Sequence, residues 1–150
     1  MLAFALIAAA SAAPDAMLIA GIGAPNLLHG RAEIFLTDTV SAELGGGVGL
    51  IPWNLTVGAR WSPERTCWGC WEGHGLRLAP GVTWFVFPTD MQEGLVSVSA
   101  DVAWVWRSPS GWGTSVGARL GVGPAYGQVA DGTKIELGGE IVPLQIGVMR

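Results

Sequence analysis

The chain has 150 residues, which suits one domain. Only 13% of them are charged while 50% are hydrophobic, and a soluble all-β surface needs about twice that share of charge. The net charge of −4, with no basic cluster, argues against nucleic acid as a partner. After the first residues no apolar run reaches the roughly 18 residues of a membrane-spanning helix.

Met1 to Ala16 reads M-L-A-F-A-L-I-A-A-A-S-A-A-P-D-A. Residues 2–10 form an apolar core, and Ala10-Ser11-Ala12 is a small-x-small cleavage site. The segment resembles a secretory signal peptide cut after Ala12 or Ala13, which divides the chain into a leader, 1–13, and one exported domain, 14–150. No Lys or Arg precedes the apolar core, and a first strand or a buried helix is the alternative.

Turn signals divide the remainder into eight segments, predicted as strands near 17–24, 28–37, 40–50, 54–61, 74–87, 95–107, 112–126 and 133–148. Side chains alternate faces along a strand, so the phase of each charge can be read. In the second segment Arg31 and Glu33 oppose Ala32, Ile34 and Leu36. In the third, Glu43 falls with Ser41, Gly45 and Gly47, opposite Ala42, Leu44 and Val48. Arg60 in the fourth joins Thr56 and Gly58; Arg77 in the fifth joins Thr83. The sixth is the clearest: Val96, Val98, Ala100, Val102, Trp104 and Trp106 interleave with Ser97, Ser99, Asp101 and Ala103. Arg119 in the seventh falls with Ser115, Gly117 and Gly121, and the eighth puts Glu136 with Glu140, opposite Ile135, Leu137 and Ile141.

One face thus collects Arg31, Arg60, Arg77 and Arg119 with Glu33, Glu43, Asp101, Glu136 and Glu140, a near balance of charge. The other face is Val, Leu, Ile and Trp. A small polar face with balanced charge fits the narrow lumen of an eight-stranded membrane barrel, where unpaired charge would be costly and glycines make room for guanidinium groups. The expected fold is a closed antiparallel up-and-down β-barrel facing lipid. With alternating strand direction Trp61, Trp106 and Trp112 fall at one rim and Trp53 and Trp84 nearer the other; with Trp104 they are the candidate aromatic girdle of a bilayer protein. The soluble alternative is a lipocalin-like calyx with the faces inverted, charges outside and the Val/Trp stripes inside around an apolar ligand.

Eight antiparallel strands behind a cleaved leader resemble the small eight-stranded outer-membrane proteins of bacteria. The resemblance covers residues 17–150 and rests on pattern. It implies an outer-membrane location, the lipid bilayer as partner, and a structural or interaction role without enzymatic activity or cofactor. Members of that family usually finish on an aromatic residue, whereas this sequence ends Val148-Met149-Arg150.

Few residues suggest chemistry. Cys67-Trp68-Gly69-Cys70 in an exported chain most simply forms a disulfide that stiffens the 62–73 connection. A metal reading adds His74 but finds no fourth ligand, and a redox reading lacks the helix start that such motifs use. His29 with Ser97, Ser99 and Asp101 invites a hydrolase triad. However, the His-x-Ser pair of the small membrane lipid A deacylases is missing, since His29 is followed by Gly30-Arg31 and His74 by Gly75-Leu76. A membrane-embedded lipid hydrolase is therefore the weakest of the three functional alternatives.

Overall fold

The computed structural model describes residues 16–24, 27–37, 39–49, 53–62, 73–87, 90–110, 112–129 and 132–149. They form β1 (Ala16–Ala24), β2 (Leu28–Phe35), β3 (Val40–Val48), β4 (Asn54–Trp61), β5 (Gly73–Phe87), β6 (Asp90–Arg107), β7 (Gly113–Val129) and β8 (Gly132–Met149). The leader and the Cys67–Cys70 motif lie outside the described residues. Each strand pairs antiparallel with the next, and β8 pairs back onto β1, closing the sheet. Closure leaves the ring without a free edge, so its backbone donors and acceptors are satisfied strand to strand.

All eight predicted strands are present, with differences at their ends. β2 and β3 stop at Phe35 and Val48, two residues short of the predicted limits. β6 begins at Asp90 instead of 95, and β7 runs to Val129 instead of 126. The turn-forming residues Pro88, Asp90 and Gly94 suggest a long loop, but the ladder continues through Val86↔Gly94, and a bulge before Phe87↔Asp90 absorbs the irregularity. Gly94 has a strand role: a Cβ there would lie 2.6 Å from Cζ of Tyr126, whose ring covers it.

Stagger sets the shape. Following paired residues round the wall from Ala20 leads through Gly30, Gly46, Leu55, Val86, Gly94 and Tyr126 to Ile135, whereas Ala20 itself pairs with Ile146. A barrel with such an offset has strands tilted about 35–45° to its axis. Because β8 pairs with β1 only from Ile141 to Met149, its Gly132–Gly139 stretch rises beyond the closed ring, paired with β7 alone, and Glu140 stands at the rim with its side chain turned into the buried interior.

The two faces are unambiguous. On β6, Ser97, Ser99 and Asp101 are at most 3% exposed, while Val98 is 66% exposed and Val102, Trp104 and Trp106 are each 43% exposed. Leu44, Val57, Leu78, Val82, Val116, Leu120 and Ile146, from the other strands, join the outer apolar wall. The interior is polar in its middle and apolar at the end where the chain enters, where Met17, Ile19 and Val105 are buried and Phe35 packs against them.

Candidate functional site: the charged interior

Inward positions of seven strands supply a single cluster, and small residues between them give it space. Arg60 lies in a place left by Gly81, where a Cβ would come within 2.7 Å of its Cδ and Nη1. Arg31 passes Gly45, where a Cβ would meet its own at 2.6 Å. The sequence needs glycine at both positions for steric reasons.

Glu43 sits at the hub. Its Oε2 accepts from Nη1 of Arg31 at 3.0 Å, Nε of Arg60 at 3.0 Å and Nη2 of Arg119 at 2.5 Å. Asp101 is the second hub: Oδ1 lies 2.9 Å from Nη2 of Arg31 and 3.2 Å from Nε of Arg119, and Oδ2 lies 3.2 Å from Nε of Arg60. Arg119 also donates to Oε1 of Glu140 at 3.1 Å, whose Oε2 accepts from Ser97 at 3.0 Å. Arg60 donates to Ser99 Oγ at 2.6 Å and Thr83 Oγ1 at 2.5 Å. Nearer the apolar end, Arg77 donates to Oε2 of Glu33 at 2.6 Å, and Ser41 donates to the same oxygen at 3.2 Å. All eight charged residues are buried.

Four guanidinium groups therefore meet four carboxylates, and the cluster is neutral. This corrects the sequence-based count of five acids. Glu136 keeps the inward phase of β8 but lies on the half of that strand beyond the closed ring. It is exposed there and forms an ion pair with Lys134. With no opposite wall to cover it, it stays in solvent.

Sequence reading also misses Gln145, which accepts from Nη2 of Arg31 at 2.8 Å and donates to Oδ1 of Asp101 at 3.2 Å. Strict alternation from Glu140 would point residue 145 outward. A bulge on β8, between the partners of Gly117 and Arg119, reverses the phase and turns it in. Met17 is a second omission: it closes the apolar end with its Sδ 3.6 Å from Nη1 of Arg77.

The arrangement limits the chemistry available. Glu33, Glu43 and Asp101 bring carboxylate oxygens within 4.8 Å of one another, but arginines already neutralise all three. The hydroxyls of Ser97 and Ser99 are engaged by Glu140 and Arg60, not by His29. A void of about 30 Å³ lined by His29, Arg31, Glu43, Arg119 and Glu140 is about large enough for one water. Among the described residues, the middle of the barrel is filled by these paired side chains.

The six predicted girdle residues Trp53, Trp61, Trp84, Trp104, Trp106 and Trp112 are all exposed on the outside. Trp53 and Trp84 lie toward one end, and Trp61, Trp104, Trp106 and Trp112 toward the other, as the strand directions require. Trp84 donates through Nε1 to the Tyr126 hydroxyl at 2.8 Å, and Trp104 stacks on His74 at 5.3 Å. Val96 sits opposite Trp84, and Trp106 is ten residues further along β6. At about 3.3 Å per residue and a tilt near 40°, this separates the belts by about 25 Å, the height of the apolar band on a membrane barrel.

The fold and its interior define a class: a closed eight-stranded antiparallel barrel, filled by neutralised charge and apolar outside. No family model, curated protein or solved structure matches the chain.

Proposed function

We propose that this chain is a bacterial outer-membrane β-barrel protein, exported by its leader, with a plugged lumen and a structural or interaction role in place of catalysis. The observation that carries the reading is the inversion of faces, with four arginines and four carboxylates inside and a continuous wall of Val, Leu, Ile and Trp outside. In water such a wall would be a very large exposed apolar surface, far beyond the few hundred Å² that soluble monomers tolerate. In a bilayer it is the solvated face. The same inversion argues against a lipocalin-like carrier, whose apolar stripes would line a cavity. The engaged hydroxyls of Ser97 and Ser99 support the absence of a hydrolase mechanism.

The test is the requirement for lipid. Urea-unfolded chain diluted into phosphatidylcholine vesicles should gain β-sheet ellipticity and protease resistance, and should give no conductance steps in a planar bilayer. Folding to the same state in buffer without lipid or detergent would overturn the reading.

Export also places Cys67 and Cys70 in an oxidising compartment, where we propose that they pair with each other. Intact mass should rise by two hydrogen atoms when a thiol reductant cleaves the bond. Stoichiometric zinc on reduced thiols, lost in His74→Ala, would instead support the metal alternative.

A further inference from the structure

The half of β8 that rises beyond the ring, together with β7 and the ends of β5 and β6, encloses a second space. It is an open cavity of about 530 Å³, above the layer of Arg119 and Glu140. That volume falls within the range of small-molecule sites. We propose that this mouth binds an organic cation carrying an aromatic or aliphatic body.

The shape and lining of the cavity support an apolar body. Phe85 and Phe87 meet edge to face at 5.5 Å and form one side, with Leu95 beside them. Phe85 is 7% exposed, so its ring is fixed by the barrel below. Aromatic faces of this kind attract cations as well as apolar groups.

Charge selects the head group. Glu93 and Glu136 line the cavity, and among the described lining residues the one cation, Lys134, is already paired with Glu136. Glu140 at the floor has both oxygens occupied by Arg119 and Ser97. Among the described residues the mouth is therefore net negative, with Glu93 available to a positive ligand and no free guanidinium or ammonium for a carboxylate or phosphate. An anionic amphiphile would meet repulsion here.

The site can be blocked without disturbing the wall. Gly127 lines the cavity, and a Cβ there would find only Glu93, at 3.8 Å. Wild-type protein in phosphatidylcholine nanodiscs should bind benzyltrimethylammonium saturably by titration calorimetry, with empty nanodiscs as the blank, and should bind benzoate at least tenfold more weakly. Gly127→Phe should abolish cation binding. The double substitution of Glu93→Gln and Glu136→Gln should weaken it roughly fivefold, as expected for loss of two exposed charges. Circular dichroism should show both variants folded. Absence of saturable cation binding, equal binding of benzoate, or wild-type affinity in Gly127→Phe would overturn the assignment.

Discussion

Glu43 and Arg119 stand on strands β3 and β7, four strands apart in a ring of eight, yet their side chains meet at 2.5 Å. The contact spans the barrel from wall to wall. Arg119 reaches Asp101 and Glu140 from the same guanidinium, so one residue ties four strands together. Buried ion pairs add little net stability when complete, but removal of one partner leaves uncompensated charge in a poorly solvated place. Arg119→Leu should therefore destabilise the barrel by about 3–5 kcal/mol. Urea titration of vesicle-folded protein measures this, and a loss under about 1 kcal/mol would mean that the carboxylates are solvated by other means.

Glu136 and Glu140 share a strand, a phase and a charge, and only the wall opposite them differs. Glu140→Leu deprives Arg119 and Ser97 of a buried acceptor and should lower stability by about 3 kcal/mol or more. Glu136→Leu removes an exposed pair with Lys134 and should change stability by no more than about 0.5 kcal/mol. Equal effects in the same unfolding assay would contradict the boundary drawn between the sealed lumen and the open mouth.

Period-two alternation identifies strands and faces because the lumen admits only small or paired polar groups and the exterior holds almost none. Arg31, Arg60, Arg77, Arg119 and four of the five acids are all readable in that way. Alternation does not say where the wall ends, so Glu136 looks identical to Glu140. It also fails across a bulge, which hides Gln145. The apolar end is obscure for another reason: Met17, Ile19 and Val105 point inward yet look like lipid-facing residues. The register of β1 against β2 and β8 separates the two for Met17 and Ile19, whereas Val105 follows the inward phase of Asp101 along β6.

Gly81 tests how tightly the interior is packed. Alanine there would press a methyl group against the backbone oxygen of Ala59 and within 2.7 Å of Cδ and Nη1 of Arg60, straining the β4–β5 ladder and forcing that side chain away from Glu43, Thr83 and Ser99. The expected loss is about 1–3 kcal/mol, the usual cost of overpacking. Gly30 is the control: its added methyl would find only a backbone oxygen of Ile19 at 3.7 Å, on the outer face. Gly30→Ala should be neutral or slightly stabilising, since glycine is the more costly residue to order in a strand. A neutral Gly81→Ala would show that both the β4 backbone and Arg60 have room to yield.

The outer wall carries the membrane reading, and arginine substitution probes it by depth. Val102 lies on β6 between the Trp84 and Trp106 levels, facing outward. An arginine there would sit near the bilayer midplane and should reduce stability by about 2–4 kcal/mol in vesicles. At Trp106, in the belt, an arginine can extend to the headgroups, so Trp106→Arg should cost about 0–1 kcal/mol for the charge, plus whatever ring contact is lost. In detergent-free water both positions would be plain surface sites, and arginine at either would shift stability by no more than about 0.5 kcal/mol. Matched unfolding titrations of the two variants distinguish these cases. A large penalty at Val102 with a small one at Trp106 is the signature of a wall solvated by lipid, and equally small penalties at both would remove the main support for an outer-membrane protein.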